Sequence, residues 1–153
     1  MKYTKGRIGR VFVLKFDNGD VVLRELERFC REQKVSCGVC QFIGALNSGD
    51  MAAGPKKPVM PPTPNWLSFR DGWETMAIAT IFPGPTGPQL HVHASLGKGK
   101  RVLTGCVRRD SNVFGVLEAV VFELTGVDAR KEADPATGIN MLAVGPRGKG
   151  RRR

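Results

Sequence analysis

Apolar and polar positions along this chain alternate over most of its length and take up helical spacing only once. Residues 7–16 alternate imperfectly and are rich in Val, Ile and Phe, which predicts a strand. Asp17-Asn18-Gly19-Asp20 is a turn cluster whose last residue suits a helix N-cap. Across 21–34, Val22, Leu23, Leu26, Phe29 and Cys30 recur at helical spacing with charged residues between them, so a helix is expected there. A second strand should occupy 36–47, with Gly44 marking a bulge or a close backbone approach. Residues 48–64 contain Gly49, Gly54, Pro55, Pro58, Pro61, Pro62 and Pro64 and read as a loop. A short strand over 66–70, a hairpin turn at Asp71-Gly72 and strands over 73–82, 89–96, 101–109 and 113–124 follow. The pattern closes with a short helix at 128–133 and a last strand at 140–144.

Strand, helix, then many strands joined by short turns define an α+β class rather than strict βα alternation. The expectation is one compact domain over 1–145, with a mainly antiparallel sheet and one main helix. A basic tail over 146–153 has no core-forming residues and is expected to be disordered in isolation. A chain of 153 residues is long enough to bury a core without staples. No apolar stretch is long enough to span a bilayer, and no basic-apolar leader is apparent, so no membrane partner and a cytoplasmic location are expected.

Charge changes the picture at the ends. The chain carries 24 Lys and Arg against 14 acids. Lys2, Lys5, Arg7 and Arg10 crowd the first ten residues, and Arg147, Lys149, Arg151, Arg152 and Arg153 the last seven. The stretch between is nearly neutral, apart from a cluster formed by Lys98, Lys100, Arg101, Arg108 and Arg109. Such ends attract a polyanion, or simply keep a neutral body soluble.

Candidate chemistry centres on the two histidines, His91 and His93. They sit in the strand-like run Gln89 to Leu96, where residues two apart share a face. Both imidazoles should therefore project from one side, with Leu90, Val92 and Ala94 on the other. Two neutral imidazoles so placed can ligate a borderline metal such as Zn²⁺; the alternative is a pair of neutral histidines in a pocket wall. Cys37-Gly38-Val39-Cys40 has C-x-x-C spacing but lies in a strand-like context, not at a helix N-terminus. The four cysteines are expected to be reduced and mostly buried.

The order of these features resembles the plant and prokaryote conserved (PPC) domain. The pieces that carry the resemblance are Phe12 to Phe16 with Gly19-Asp20 before a Leu-rich helix, Phe42 to Leu46, Trp73 to Met76, Pro88 to Leu96, and Gly105-Cys106-Val107. The resemblance implies a homotrimer built around an antiparallel sheet. For prokaryotic members it implies proteins described as DNA-binding, some with a metal held by the paired histidines and a third histidine. By the register of the resemblance that third position falls on Arg101, which stays protonated and cannot ligate zinc. Either the metal site is weakened, with Glu74, a cysteine or water completing it, or Arg101 holds an anion beside the imidazoles.

Pro146-Arg147-Gly148-Lys149-Gly150 is close to the AT-hook core, in which glycine lets flanking cations follow the narrow A·T minor groove. Arg147, Lys149, Arg151, Arg152 and Arg153 are thus the expected DNA contacts. Two classes of function stand side by side. One is a non-catalytic, trimeric DNA-associated protein. The other is a metal- or small-anion-binding protein with a pocket, within one chain or between subunits, lined by His91, His93, Glu74 and Arg101. In the second class Glu74 and a histidine could do general acid–base work while Arg101 holds an anionic group, but no nucleophile motif, phosphate loop or paired-carboxylate signature supports a named reaction, and whether the chain is an enzyme stays open.

Overall fold

A computed structural model describes residues 1–108 and 110–146. In chain order its elements are β1 (Arg7–Asp17), α1 (Val22–Glu32), β2 (Gly38–Pro55), β3 (Pro64–Phe69), β4 (Trp73–Gly84), β5 (Gly87–Lys98), β6 (Arg101–Val107), β7 (Asn112–Thr125), β8 (Ala129–Asp134) and β9 (Ile139–Val144). The sheet runs β1-β7-β2-β4-β5-β6, with β3 paired to the far end of β2. All pairings are antiparallel. The α+β class with one main helix is the architecture found. No helix among the described residues is long and apolar enough to cross a membrane.

Alternation sorts each strand between two faces. Phe16 of β1, Cys40 and Phe42 of β2, Ala77, Ala79 and Ile81 of β4, Val92, Ala94 and Leu96 of β5, and Leu117, Ala119 and Val121 of β7 form the inner face and are buried. Helix α1 closes that face with Val22, Leu26 and Cys30, its stripe at i, i+4 and i+8. Phe29 meets Phe12 edge to face, ring centroids 5.1 Å apart. The bulge expected at Gly44 is present. Its φ is +139°, the β2–β7 register shifts there, and a Cβ would lie 2.5 Å from the Val116 carbonyl oxygen.

Four local expectations are corrected. Asp20 does not cap α1: the N-cap is Val21 without a side-chain bond, and Asp20 Oδ2 accepts from the Asp17 N–H instead. The first helical N–H, that of Val22, is satisfied by the Ser111 carbonyl at 3.0 Å. The loop expected over 48–64 is strand as far as Pro55 and irregular, as expected, only over 56–63. Met51 and Ala52 pair with β3 on one side and with Val107 and Cys106 of β6 on the other, so long-range pairing overrides the local glycines and prolines. Asp71-Gly72 does adopt positive φ at both residues, yet it makes no hairpin. β3 and β4 pair in succession with the same β2, in the same direction, so the dipeptide is a jog between collinear strands. Finally, 128–133 is not helical. β8 pairs with β9 through a turn in which Asp134 accepts from the Thr137 and Gly138 N–H groups through its carbonyl and from the Ala136 N–H through Oδ1.

Candidate metal centre

The outer face of the sheet carries the histidines. Val92, Ala94 and Leu96 point into the core, so alternation sends His91, His93 and Ser95 outward. The His91 and His93 Nε2 atoms lie 3.2 Å apart, with rings nearly perpendicular at 83°. On the neighbouring strand Cys106 is the register partner of His93, 5% exposed. The ligand atoms of His91, His93 and Cys106 all lie within 4.8 Å of one another. It is the one such donor cluster among the described residues.

The donor set fits zinc-like chemistry. Two nitrogens bound tetrahedrally at about 2.0 Å from one ion are themselves roughly 3.3 Å apart, close to the spacing found here. One thiolate and two imidazoles are a common borderline-soft combination. Burial and the neighbouring His93, Lys131 and Arg108 all push the His91 pKa down, which keeps it neutral and able to donate a lone pair. Burial pushes the Cys106 thiol up, against an opposing pull from Arg108, a backbone hydrogen bond involving Val92, and Lys131. Cys106 is therefore a thiol until an ion displaces its proton.

A row of register partners leads away from the centre across the sheet: Val13, Val120, Gln41, Ile78, His93 and Cys106. The row as far as His93, together with Ile43 and Met76, lines an open trough of about 710 Å³ on the outer face. Val13 is 81% exposed and Met76 70%. The centre stands at one edge of this apolar surface.

The two other expected pocket residues are elsewhere within the chain. Glu74 shares the outer face but pairs with Gly97, four residues along β4 from the Ile78 that faces His93, or roughly 13 Å at the rise of a strand. Arg101 pairs with Lys98 at the far end of β6, an odd number of residues from Cys106, so it leaves by the opposite face. Its guanidinium stacks over Trp73, 5.0 Å from the ring centroid. Cys106, not Arg101, stands beside the histidine pair. Sequence reasoning allowed a cysteine there without naming it. The signal was in the β5–β6 turn: two residues, Gly99-Lys100, set Lys98 opposite Arg101 and hence His93 opposite Cys106.

The remaining cysteines are free and buried, as expected. Burial first, with a nearby charge second, pushes Cys30 up to about 11 and Cys40 up to about 12, so neither is a reactive thiolate. Among the N-terminal cations, Arg10 is committed to Glu123, donating from Nε at 2.7 Å and from a terminal nitrogen at 2.8 Å. Arg147, Lys149, Arg151, Arg152 and Arg153 lie outside the described residues.

A small antiparallel-sheet domain with one covering helix and a paired-histidine strand on its outer face is the class defined by these features. The chain belongs to the Plants and Prokaryotes Conserved (PCC) domain family, whose model matches residues 3–125. Comparison with curated proteins by sequence gave no match. Among solved structures, the metal-containing protein from Archaeoglobus fulgidus is 22% identical, with a TM-score of 0.82 over 94% of this chain and 99% of that one. A plant- and prokaryote-conserved protein from Pyrococcus horikoshii is 19% identical, with a TM-score of 0.81 over 94% and 97%. A "putative DNA-binding protein" from Ralstonia eutropha JMP134 is 18% identical, with a TM-score of 0.73 over 87% and 90%. At these identities the likeness establishes the fold.

Proposed function

We propose that this chain is a metal-binding PCC-domain protein whose centre is formed by His91, His93 and Cys106. The observation that carries this is the approach of the two Nε2 atoms to 3.2 Å with Cys106 opposite His93. The description of the Archaeoglobus fulgidus relative as metal-containing supports it. When bound, zinc or a similar ion supplies a fixed positive charge and Lewis acidity. His91 and His93 donate through nitrogen, and Cys106 through sulfur after losing its proton. Elemental analysis of the purified chain tests the reading. One equivalent of a transition metal, lost in Cys106→Ser with His93→Ala, supports it. A metal-free chain that also takes up none on titration rejects it.

A second reading concerns DNA. The formal net charge of +10 is concentrated at the ends, and the Ralstonia eutropha relative is described as a putative DNA-binding protein. In this reading the apolar outer face packs copies of the chain into a homotrimer. Three sets of basic ends, Arg147, Lys149, Arg151, Arg152 and Arg153 among them, then hold duplex DNA by avidity. Binding should weaken steeply with salt and fall when 146–153 is deleted. Sedimentation of a monomer, or no salt-dependent binding to duplex DNA, rejects it.

A further inference from the structure

Three protein donors leave a tetrahedral ion one ligand short. The charged side chains outside the donor set that act on His91 and Cys106 have one sign. Arg108 follows Cys106 by two residues, and its N–H donates to the Asp50 carbonyl at 2.8 Å, extending the β2–β6 pairing by one more residue. Alternation therefore returns the Arg108 side chain to the face of Cys106. Lys131 lies on β8, two residues from Ala129, which is buried and accepts the Cys37 thiol. Alternation therefore turns Lys131 toward the body of the domain.

Arg108 and Lys131 both act electrostatically on His91 and on Cys106. The charged groups felt at His91 are His93, Lys131 and Arg108, all cationic or neutral. Neither Arg108 nor Lys131 makes an ion pair among the described residues. A dication offset by a single thiolate still leaves a positive site, and two cations that make no ion pair among the described residues raise that further. Water would complete the coordination but leave this charge standing. An anion would neutralise it and could be gripped by the guanidinium at the same time.

We propose that the His91–His93–Cys106 centre takes a small oxyanion, a carboxylate or phosphate-type group, as its remaining ligand, with Arg108 and Lys131 supplying the counter-charge. This rests on the metal reading above. It moves the anion-holding role from Arg101, which stacks on Trp73 across the sheet, to residues on the side of the histidines.

The test uses the full chain loaded with Co²⁺. A near-ultraviolet thiolate-to-cobalt band reports that Cys106 is bound, and the visible bands report the remaining ligand. Acetate serves as the carboxylate probe and sulfate as the phosphate-like one, with perchlorate at matched ionic strength as the control. Acetate or sulfate should shift the visible bands saturably while perchlorate does not. Arg108→Gln with Lys131→Gln should weaken the apparent anion affinity about tenfold or more and leave the thiolate band unchanged. Which probe binds more tightly tells the carboxylate source from the phosphate source. A thiolate band with visible bands indifferent to both anions overturns this inference alone. So does an anion response unchanged by the double substitution. Absence of the thiolate band overturns the metal reading, and this inference with it.

Discussion

His93 and Cys106 face each other across the β5–β6 ladder, one exposed and the other buried. The pairing places a soft donor beside two imidazoles and joins the centre to the sheet rather than to a loop. Ligands on paired strands are held by backbone hydrogen bonds on both sides, so the site is preorganised.

Loss of any single ligand should therefore weaken the site without unfolding the chain. His91→Ala and His93→Ala each remove one nitrogen, and Cys106→Ser removes the sulfur. Each should weaken zinc affinity by about tenfold or more, judged against the effect of disturbing even outer-shell partners. Competition with a chromophoric chelator measures this, and circular dichroism should show all three variants folded.

Metal uptake should release protons. Cys106 has a raised pKa and starts as the thiol, whereas His91, with a lowered one, starts neutral. At neutral pH the wild-type chain should release about one proton more per ion than Cys106→Ser. Calorimetry in two buffers of different ionisation enthalpy measures the difference. Affinity should fall as pH falls, because protons compete for the same lone pairs.

The Arg10–Glu123 pair gives a separate pH signature. Hydrogen bonding to Arg10 is the largest cause of a Glu123 pKa below its ordinary 4.5. A depressed folded-state value means the contribution is present above the unfolded carboxylate pKa and lost as pH falls through the folded one. Glu123→Gln should thus lower the melting temperature slightly at pH 7 and flatten the acid limb below pH ~4.5. Thermal melts across that range decide it; a parallel shift at all pH values would contradict the linkage.

The core gives the largest stability effects. Leu26 on α1 and Leu117 on β7 are fully buried in one cluster. Leu26→Ala or Leu117→Ala should each cost about 2–5 kcal/mol by lost transfer and cavity formation. Gly44→Ala should also destabilise, since its Cβ would meet the Val116 carbonyl oxygen and Leu117 backbone. Urea unfolding at constant m-value measures all three.

What was legible in the sequence was whatever short-range patterning controls. Alternation through Gln89 to Leu96 predicted that both imidazoles leave one face, and helical spacing located α1 within two residues at either end. What failed depended on distant partners. Met51 and Ala52 sit in a stretch rich in glycine and proline, and pairing on both edges makes them strand. Ala129 to Asp134 favours helix by composition, but so short a helix is marginal alone, and the Asp134 turn with β9 wins. Within one chain, the turn at Gly99-Lys100 fixes a pairing that puts Cys106, and not Arg101, opposite His93.

X-ray absorption spectroscopy of the zinc-loaded chain tests the centre most directly. Two nitrogen neighbours at about 2.0 Å and one sulfur at about 2.3 Å are predicted, the sulfur shell vanishing in Cys106→Ser. A first shell of nitrogen and oxygen alone in the unsubstituted chain would contradict the assignment of His91, His93 and Cys106 as the ligands.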